Sequence, residues 1–243
     1  MEQQTRKTVQ RVRHELRMRE VTVASVKPVG EHFVSITFQG ESLADFVSLG
    51  FDDHVKFMFD DKAGQQLRRD YTPRRYNTQS RELDLEFALH GDGAASDWAR
   101  NAKPGDGAII GGPRGSLILP DDLAWQLLAG DTTALPAIRR RLEELPASAR
   151  VIVVAWAGAG DRLPFAGAAQ AEVYWVDSED ALIDTVRALA LPSGAGFAWG
   201  AGEAAAMRRL RTVLAEEKGI AKDAMRVSAY WKQGVADHHE NLA

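Results

Sequence analysis

The chain has 243 residues, 45% of them apolar and 26% charged, with a formal net charge of −4 and no cysteine. It is long enough for two compact domains of ordinary globular balance, and its acidic balance argues against a nucleic-acid binder, which carries a basic excess. Without thiols there are no disulfides, thiolate-held metals or cysteine nucleophiles, so redox chemistry requires a bound cofactor.

Residues 1–20, MEQQTRKTVQRVRHELRMRE, hold six Lys/Arg and no apolar signal core. They are expected to form a basic arm over 1–19 of a cytoplasmic protein. No apolar run approaches the ~18 residues of a membrane span. From there to about Leu119 the apolar period is two. REVTVASV, EHFVSITFQG and HVKFMF alternate, and GAIIGG and SLILP close the series. ELDLEFALHG sets Leu83, Leu85, Phe87 and Leu89 on one face and Asp84 and Glu86 on the other. Six short strands broken by Gly, Pro and Asp predict an antiparallel six-stranded β-barrel over 20–119, with ASDWARNA as a helical insertion.

After Pro120 the rhythm changes. WQLLAG, RVIVVAW, AEVYWV, GFAW and MRVSAYW are apolar and β-branched or aromatic, as strands buried on both faces are. Between them LPAIRRRLEEL, DALIDTVRAL and EAAAMRRLRTVLAEE read as helices, the last with Met207, Leu210, Val213 and Leu214 on one stripe. The expectation is a five-stranded parallel sheet with flanking helices over 120–243.

Two segments of the barrel carry chemistry. RRDYTPRRY (68–76) packs four arginines and two tyrosines into nine residues. On a strand, Arg69 and Tyr71 of its Arg69-Asp70-Tyr71-Thr72 core face the same way. That pattern suits either a charged edge strand or a planar ring on Tyr71 with a phosphate held by Arg69. LHGDGAASDWA (89–99) leads from a strand into a short helix through Gly91, Gly93, Ala94, Ala95 and Ser96. Small residues there let a pyrophosphate approach free helix N–H groups, with Ser96 as a candidate cap. Together they describe a flavin dinucleotide site.

These segments, with RVRHELRMREVTV, FDDHVKFMF, PGDGAIIGGPRGSL, LPAIRRRLE, WGAGE and SAYW in this order, resemble the siderophore-interacting proteins, in particular their NADPH-dependent ferric-siderophore reductase branch among the ferredoxin-reductase-like flavoproteins. The resemblance implies FAD on the barrel, with Arg69, Asp70, Tyr71 and Thr72 at the flavin and ribityl phosphate, and His90, Gly93, Ala95 and Ser96 along the pyrophosphate. It implies reduction of a ferric siderophore by NADPH through FAD, with Lys56, Arg114 and Arg226 as cations facing an anionic chelate. A monomer is expected, without nucleic-acid partner or resident metal. Two rivals are a flavoprotein feeding a ferredoxin-like carrier and a non-enzymatic siderophore carrier.

For NADPH, AGDTTALPAI (129–138) occupies the first strand-to-helix turn, where relatives in the wider superfamily carry a Gly-Thr-Gly type turn. Asp131 and Thr133 stand in place of glycines around Thr132, which limits backbone approach and puts a negative charge beside a pyrophosphate. GAGEAA (200–205) matches a dinucleotide fingerprint, but only one further strand follows it, so a self-standing dehydrogenase is rejected. Trp199, Gly200, Gly202 and Glu203 are expected to line the nicotinamide end instead. Arg162 of GAGDR is the candidate for a 2′-phosphate. Tyr230 and Trp231 either shield the flavin or simply pack. Asp52-Asp53 read as loop charges, and His238-His239-Glu240 as a tail.

Overall fold

The computed structural model describes residues 9–89, 93–120, 122–167, 169–235 and 240–242. The chain divides into two compact units, one of Arg11–Ile118 with Ala159–Leu163, the other of Met1–Gln10, Leu119–Gly158 and Pro164–Ala243. No helix among the described residues is long and apolar enough to cross a membrane.

In the first unit, β1 (Gln10–Arg13) lies within the expected arm and pairs with β9 (Gly115–Ile118) in a small sheet of its own. The main sheet has seven strands rather than six. These are β2 (Met18–Val29), β3 (Phe33–Gln39), β4 (Val55–Asp60), β5 (Gln66–Tyr71), β6 (Pro73–Asn77), β7 (Glu82–Ala88) and β8 (Gly107–Gly111), ordered β5-β4-β8-β2-β3-β7-β6 with every pair antiparallel. SLILP belongs to the small sheet. β5 and β6 escaped the apolar pattern because they are charged end strands, and β6 opens on a proline.

Alternation drives the packing. Val21, Val23, Ile36, Phe38, Val55, Phe57, Phe59, Leu83, Leu85 and Phe87 are each at most 4% exposed. Each such side chain contributes about 1.5–3 kcal/mol by leaving water. β2 pairs with β8 through its first half and with β3 through its second, and a register shift between Val23 and Ser25 bends it around the corner. The two end strands, β5 and β6, are joined by Thr72 alone, so the chain itself bridges the seam. Helix α1 (Ala94–Asn101) sets Trp98 edge-on to Phe57 at 4.8 Å.

In the second unit the order is β12-β11-β10-β13-β14-β15. The five strands β10 (Trp125–Gly130), β11 (Arg150–Trp156), β12 (Gln170–Val176), β13 (Gly196–Glu203) and β14 (Met225–Trp231) run parallel, as the apolar runs foretold. A short antiparallel strand, β15 (Glu240–Asn241), borders β14. Helices α2 (Leu135–Glu144), α3 (Glu179–Ala188) and α4 (Ala204–Thr212) flank the sheet, and α4 continues into a π turn, Val213–Glu217. Met207, Leu210, Val213 and Leu214 are buried as a stripe should be. The strand order reverses between β10 and β13, and in open α/β sheets ligands bind at the carboxyl ends of strands flanking such a switch point.

Candidate functional site

At the seam, the register pairs Arg69 with Phe57 and Tyr71 with Val55, so Arg69 and Tyr71 do share one face, that of the barrel core. The half-buried Tyr71 ring lies 4.3 Å from Phe87 between centroids and meets Phe57 edge-on at 5.7 Å. Burial pushes its phenol well above the ordinary tyrosine value, only weakly opposed by the Arg69 charge, so the hydroxyl stays protonated. Arg69 donates to the Arg68 carbonyl at 2.7 Å, and Thr72 is buried. Asp70 lies on the opposite face and makes an ion pair with its cross-strand partner Lys56 at 2.9 Å. It therefore orients a lysine and is turned away from the face of Tyr71.

Beside the seam, Arg74 and Glu86 form an ion pair at 3.1 Å with side chains only 6% and 7% exposed. Alternation had put Glu86 on the outer face with Asp84. A register shift between Pro73 and Arg75 brings Arg74 over it, and two charges are buried together.

The entrance to α1 offers backbone donors. Gly93 is its N-cap, with no side-chain cap bond, and Asp97 N–H closes the first turn on the Gly93 carbonyl. The N–H groups of Ala94 and Ala95 have no partner among the described residues. A Cβ on Gly93 would meet only Ser96 Oγ, at 3.8 Å. Ser96 is not the cap: it is the third helical residue, and its hydroxyl donates to the Ala88 carbonyl at 3.0 Å, tying α1 to the end of β7. The Ala95 methyl is buried in the core, so what Ala95 presents is its N–H. His90 lies outside the described residues. A protonated, aromatic-backed tyrosine, an arginine and an uncapped helix start fit the ring and diphosphate of FAD.

The first turn of the parallel sheet is built differently. Asp131 follows β10, is 4% exposed, and caps the 3-10 turn Thr132–Ala134 that leads into α2. Its Oδ1 accepts Thr133 N–H at 2.8 Å and the Thr133 hydroxyl at 2.6 Å. Its Oδ2 accepts Glu203 N–H and the Trp231 indole, both at 2.8 Å. Burial pushes the carboxyl above the usual aspartate range, and these four bonds pull against it. Thr132 is half-buried beside it. A diphosphate does not fit this turn as it fits a glycine turn, because a side-chain carboxylate already holds the donors.

The residues expected at the nicotinamide end serve the fold. Trp199 is 1% exposed in central β13 and T-stacks with Tyr230, so its ring offers no surface to a ligand. A Cβ on Gly200 would come within 2.5 Å of Leu210, so Gly200 admits α4 to the sheet. A Cβ on Gly202 would lie 2.6 Å from Asp131 Oδ2. Glu203 caps α4, accepting from Ala205 and Ala206 N–H, and also accepts Gln233 N–H. Burial raises its pKa, but those backbone donors outweigh it and leave the carboxyl below the usual range.

Arg162 is half-buried in the segment Ala159–Leu163, which belongs to the barrel unit rather than to the sheet it follows. The neighbouring Asp161 accepts Glu31 N–H at 3.0 Å, His32 N–H at 2.9 Å and His32 Nδ1 at 2.9 Å. Of the cations expected to face a substrate, Arg114 is exposed just after Pro113. Its turn is braced by Ser116, which donates to buried Asp53 at 2.5 Å and accepts from Leu49 N–H and His14 Nε2. Asp52 and Asp53, expected as loop charges, are both buried. Arg226 is the second residue of β14, at the amino edge of the sheet, and pairs in register with Trp199. That is the wrong end for a ligand crevice. A cation at the carboxyl end of β14 is Lys232, exposed one residue past the strand, which a reading by strand direction would have found. His238 and His239 lie outside the described residues.

Residues 123–234 match the family model described as "Siderophore-interacting protein", and residues 22–68 and 60–117 match "Siderophore-interacting FAD-binding domain". The chain is similar to the NADPH-dependent ferric-chelate reductase of Escherichia coli K12, at 34% identity over 91% of this chain and 96% of that protein. It is also similar to the solved structure of a siderophore utilization protein from T. fusca, at 29% identity and a TM-score of 0.88, covering 95% of this chain and 98% of the other. The ferredoxin reductase in carbazole 1,9a-dioxygenase, 18% identical with a TM-score of 0.66 over 87% of this chain and 69% of that one, shares the fold alone.

Proposed function

Because the chain belongs to the siderophore-interacting protein family, we propose that it is an FAD-dependent reductase that uses NADPH to reduce ferric siderophores and release ferrous iron. The observation that carries this reading is the pairing of Tyr71 at the barrel seam with the uncapped start of α1 at Gly93. In this reading residues 20–119 hold FAD, residues 120–243 serve the nucleotide, and the protein works as a cytoplasmic monomer.

FAD held by Tyr71, Arg69 and the start of α1 would supply the conversion of a two-electron nicotinamide donor into single electrons for ferric iron. The protein's own part is positioning. The Tyr71 ring, backed by Phe87 and Phe57, gives the isoalloxazine a rigid apolar support, and its protonated hydroxyl is a donor without charge. Arg69 and the N–H groups of Ala94 and Ala95 meet phosphate charge. Electron transfer to a chelated metal needs no proton-transfer residue, so orientation and field suffice. Lys56, steered by Asp70, and exposed Arg114 supply that field for an anionic chelate. A cation ~6 Å from the chelate gains about 3 kcal/mol per unit of ligand charge at an effective dielectric of ~20, less in salt.

The test is spectroscopic and kinetic. The purified or reconstituted protein should show oxidised-flavin absorbance, release FAD rather than FMN, bleach on mixing with NADPH and recover with a ferric siderophore. A protein that takes up no flavin from excess FAD would end this reading. Bleaching without recovery on ferric siderophore, but with recovery on a ferredoxin-like carrier, would replace the substrate.

A further inference from the structure

The crevice between the carboxyl ends of β10 and β13 is where a sheet of this order seats the diphosphate of a dinucleotide. Here its donors already hold an anion. The Thr133 N–H, which would face a phosphate at the start of the helical turn, points at Asp131 Oδ1, and the Glu203 N–H at the end of β13 points at Oδ2. The carboxylate also fills the space, since a Cβ on Gly202 would lie 2.6 Å from it, and the Trp231 indole closes over Oδ2 at 2.8 Å. The second helix start at this edge is taken too, because Glu203 caps α4 with its own carboxylate. Two acidic side chains thus stand where a diphosphate would bring like charge.

We propose that Asp131 is a built-in occupant of the diphosphate subsite, so that the nicotinamide nucleotide binds this protein with its diphosphate outside the first strand-to-helix turn. The inference rests on the reading that a nicotinamide nucleotide is the electron donor, and it makes Asp131 a determinant of how that donor is recognised. Recognition then falls to the nucleotide's other parts, and a second phosphate adds little affinity. Asp131→Asn keeps the side-chain size but removes the charge and turns one acceptor into a donor, which releases two of the four groups now bound to it.

The experiment uses the FAD-loaded protein and the probes AMP, ADP and inorganic pyrophosphate, with binding followed by calorimetry and by tryptophan fluorescence. Wild type should bind ADP less than about tenfold more tightly than AMP, and pyrophosphate should leave the fluorescence unchanged at millimolar concentration. In Asp131→Asn the preference for ADP over AMP should rise by about tenfold or more. A wild-type preference for ADP of about tenfold or more, or a folded, FAD-loaded Asp131→Asn with an unchanged ratio, overturns the proposal. The wild-type comparison decides even where the variant does not fold. Failure of NADPH to bleach the wild-type flavin would remove the electron-donor reading and leave the ADP and AMP comparison intact.

Discussion

At Gly93 the chain enters α1 with a glycine cap and N–H groups that have no partner among the described residues, whereas at Asp131 it leaves β10 for α2 with a carboxylate folded back over the turn. Both segments lead from a strand to a helix, and both start a helix whose dipole favours an anion. They differ in one side chain. Gly93 has none, and a Cβ there would meet only Ser96 Oγ, at 3.8 Å. Asp131 has an acidic one, and donors from the ends of three strand segments converge on it. The shape of a strand-to-helix turn does not define an anion site; what counts is whether its donors are still free.

The sharpest way to break this contrast is Asp131→Ala. Removing the acceptor leaves several buried donors unpaired at about 1–3 kcal/mol each, and a total loss of about 3–5 kcal/mol is expected in denaturant unfolding followed by tryptophan emission. Gly93→Ala should change stability by about 1 kcal/mol or less. Equal losses in the two would show that Asp131 is not a hub. A smaller effect is expected from Arg69→Ala, which should weaken FAD retention by about 1.5–3 kcal/mol, a charge-assisted contact, without moving the unfolding midpoint of the apoprotein. Should the midpoint drop while flavin affinity holds, Arg69 braces the barrel instead. Smaller again is the flavin effect of Gly93→Ala. The added methyl enters the space offered to the diphosphate, and FAD retention should fall by about 1 kcal/mol, read by equilibrium dialysis. Unchanged retention would move the diphosphate away from this helix.

Asp161 is a third carboxylate held by backbone N–H groups, and it sharpens the comparison through pH. Burial raises its pKa, but the His32 and Glu31 donors outweigh burial and leave it below the ordinary 3.8. A folded-state pKa below the unfolded one gives stability that is present above the ordinary value and lost as the pH falls through the folded value. Asp161→Asn should therefore flatten the acid limb of the stability curve below about pH 4. Parallel acid limbs for variant and wild type would mean the carboxylate contributes nothing there.

Much of the architecture could be read from residue order alone. Alternation in ELDLEFALHG and the apolar run RVIVVAW placed core strands because side-chain period and burial obey the same geometry. Arg69 and Tyr71 fell on one face for that reason. Glu86 lies on the face that alternation gives it, but alternation does not tell what covers a face, and Arg74 covers this one through a shift of register. Trp199 and Gly200 looked like site residues because they precede a glycine-rich turn, yet β13 lies mid-sheet and buries both faces. Lys56 came with a partner, Asp70, fourteen residues away, that only strand pairing reveals.

The seam at Thr72 has a consequence for solubility. β5 and β6 are the two ends of the seven-stranded sheet, and an end strand offers ladder groups to any passing chain. Arg68 and Arg69 lie on one of these strands and Arg74 and Arg75 on the other. Two copies meeting edge to edge would bring the exposed Arg68 or Arg75 against its own counterpart. The exposed arginines discourage self-association, so replacing Arg68 and Arg75 with apolar residues would expose the protein to aggregation.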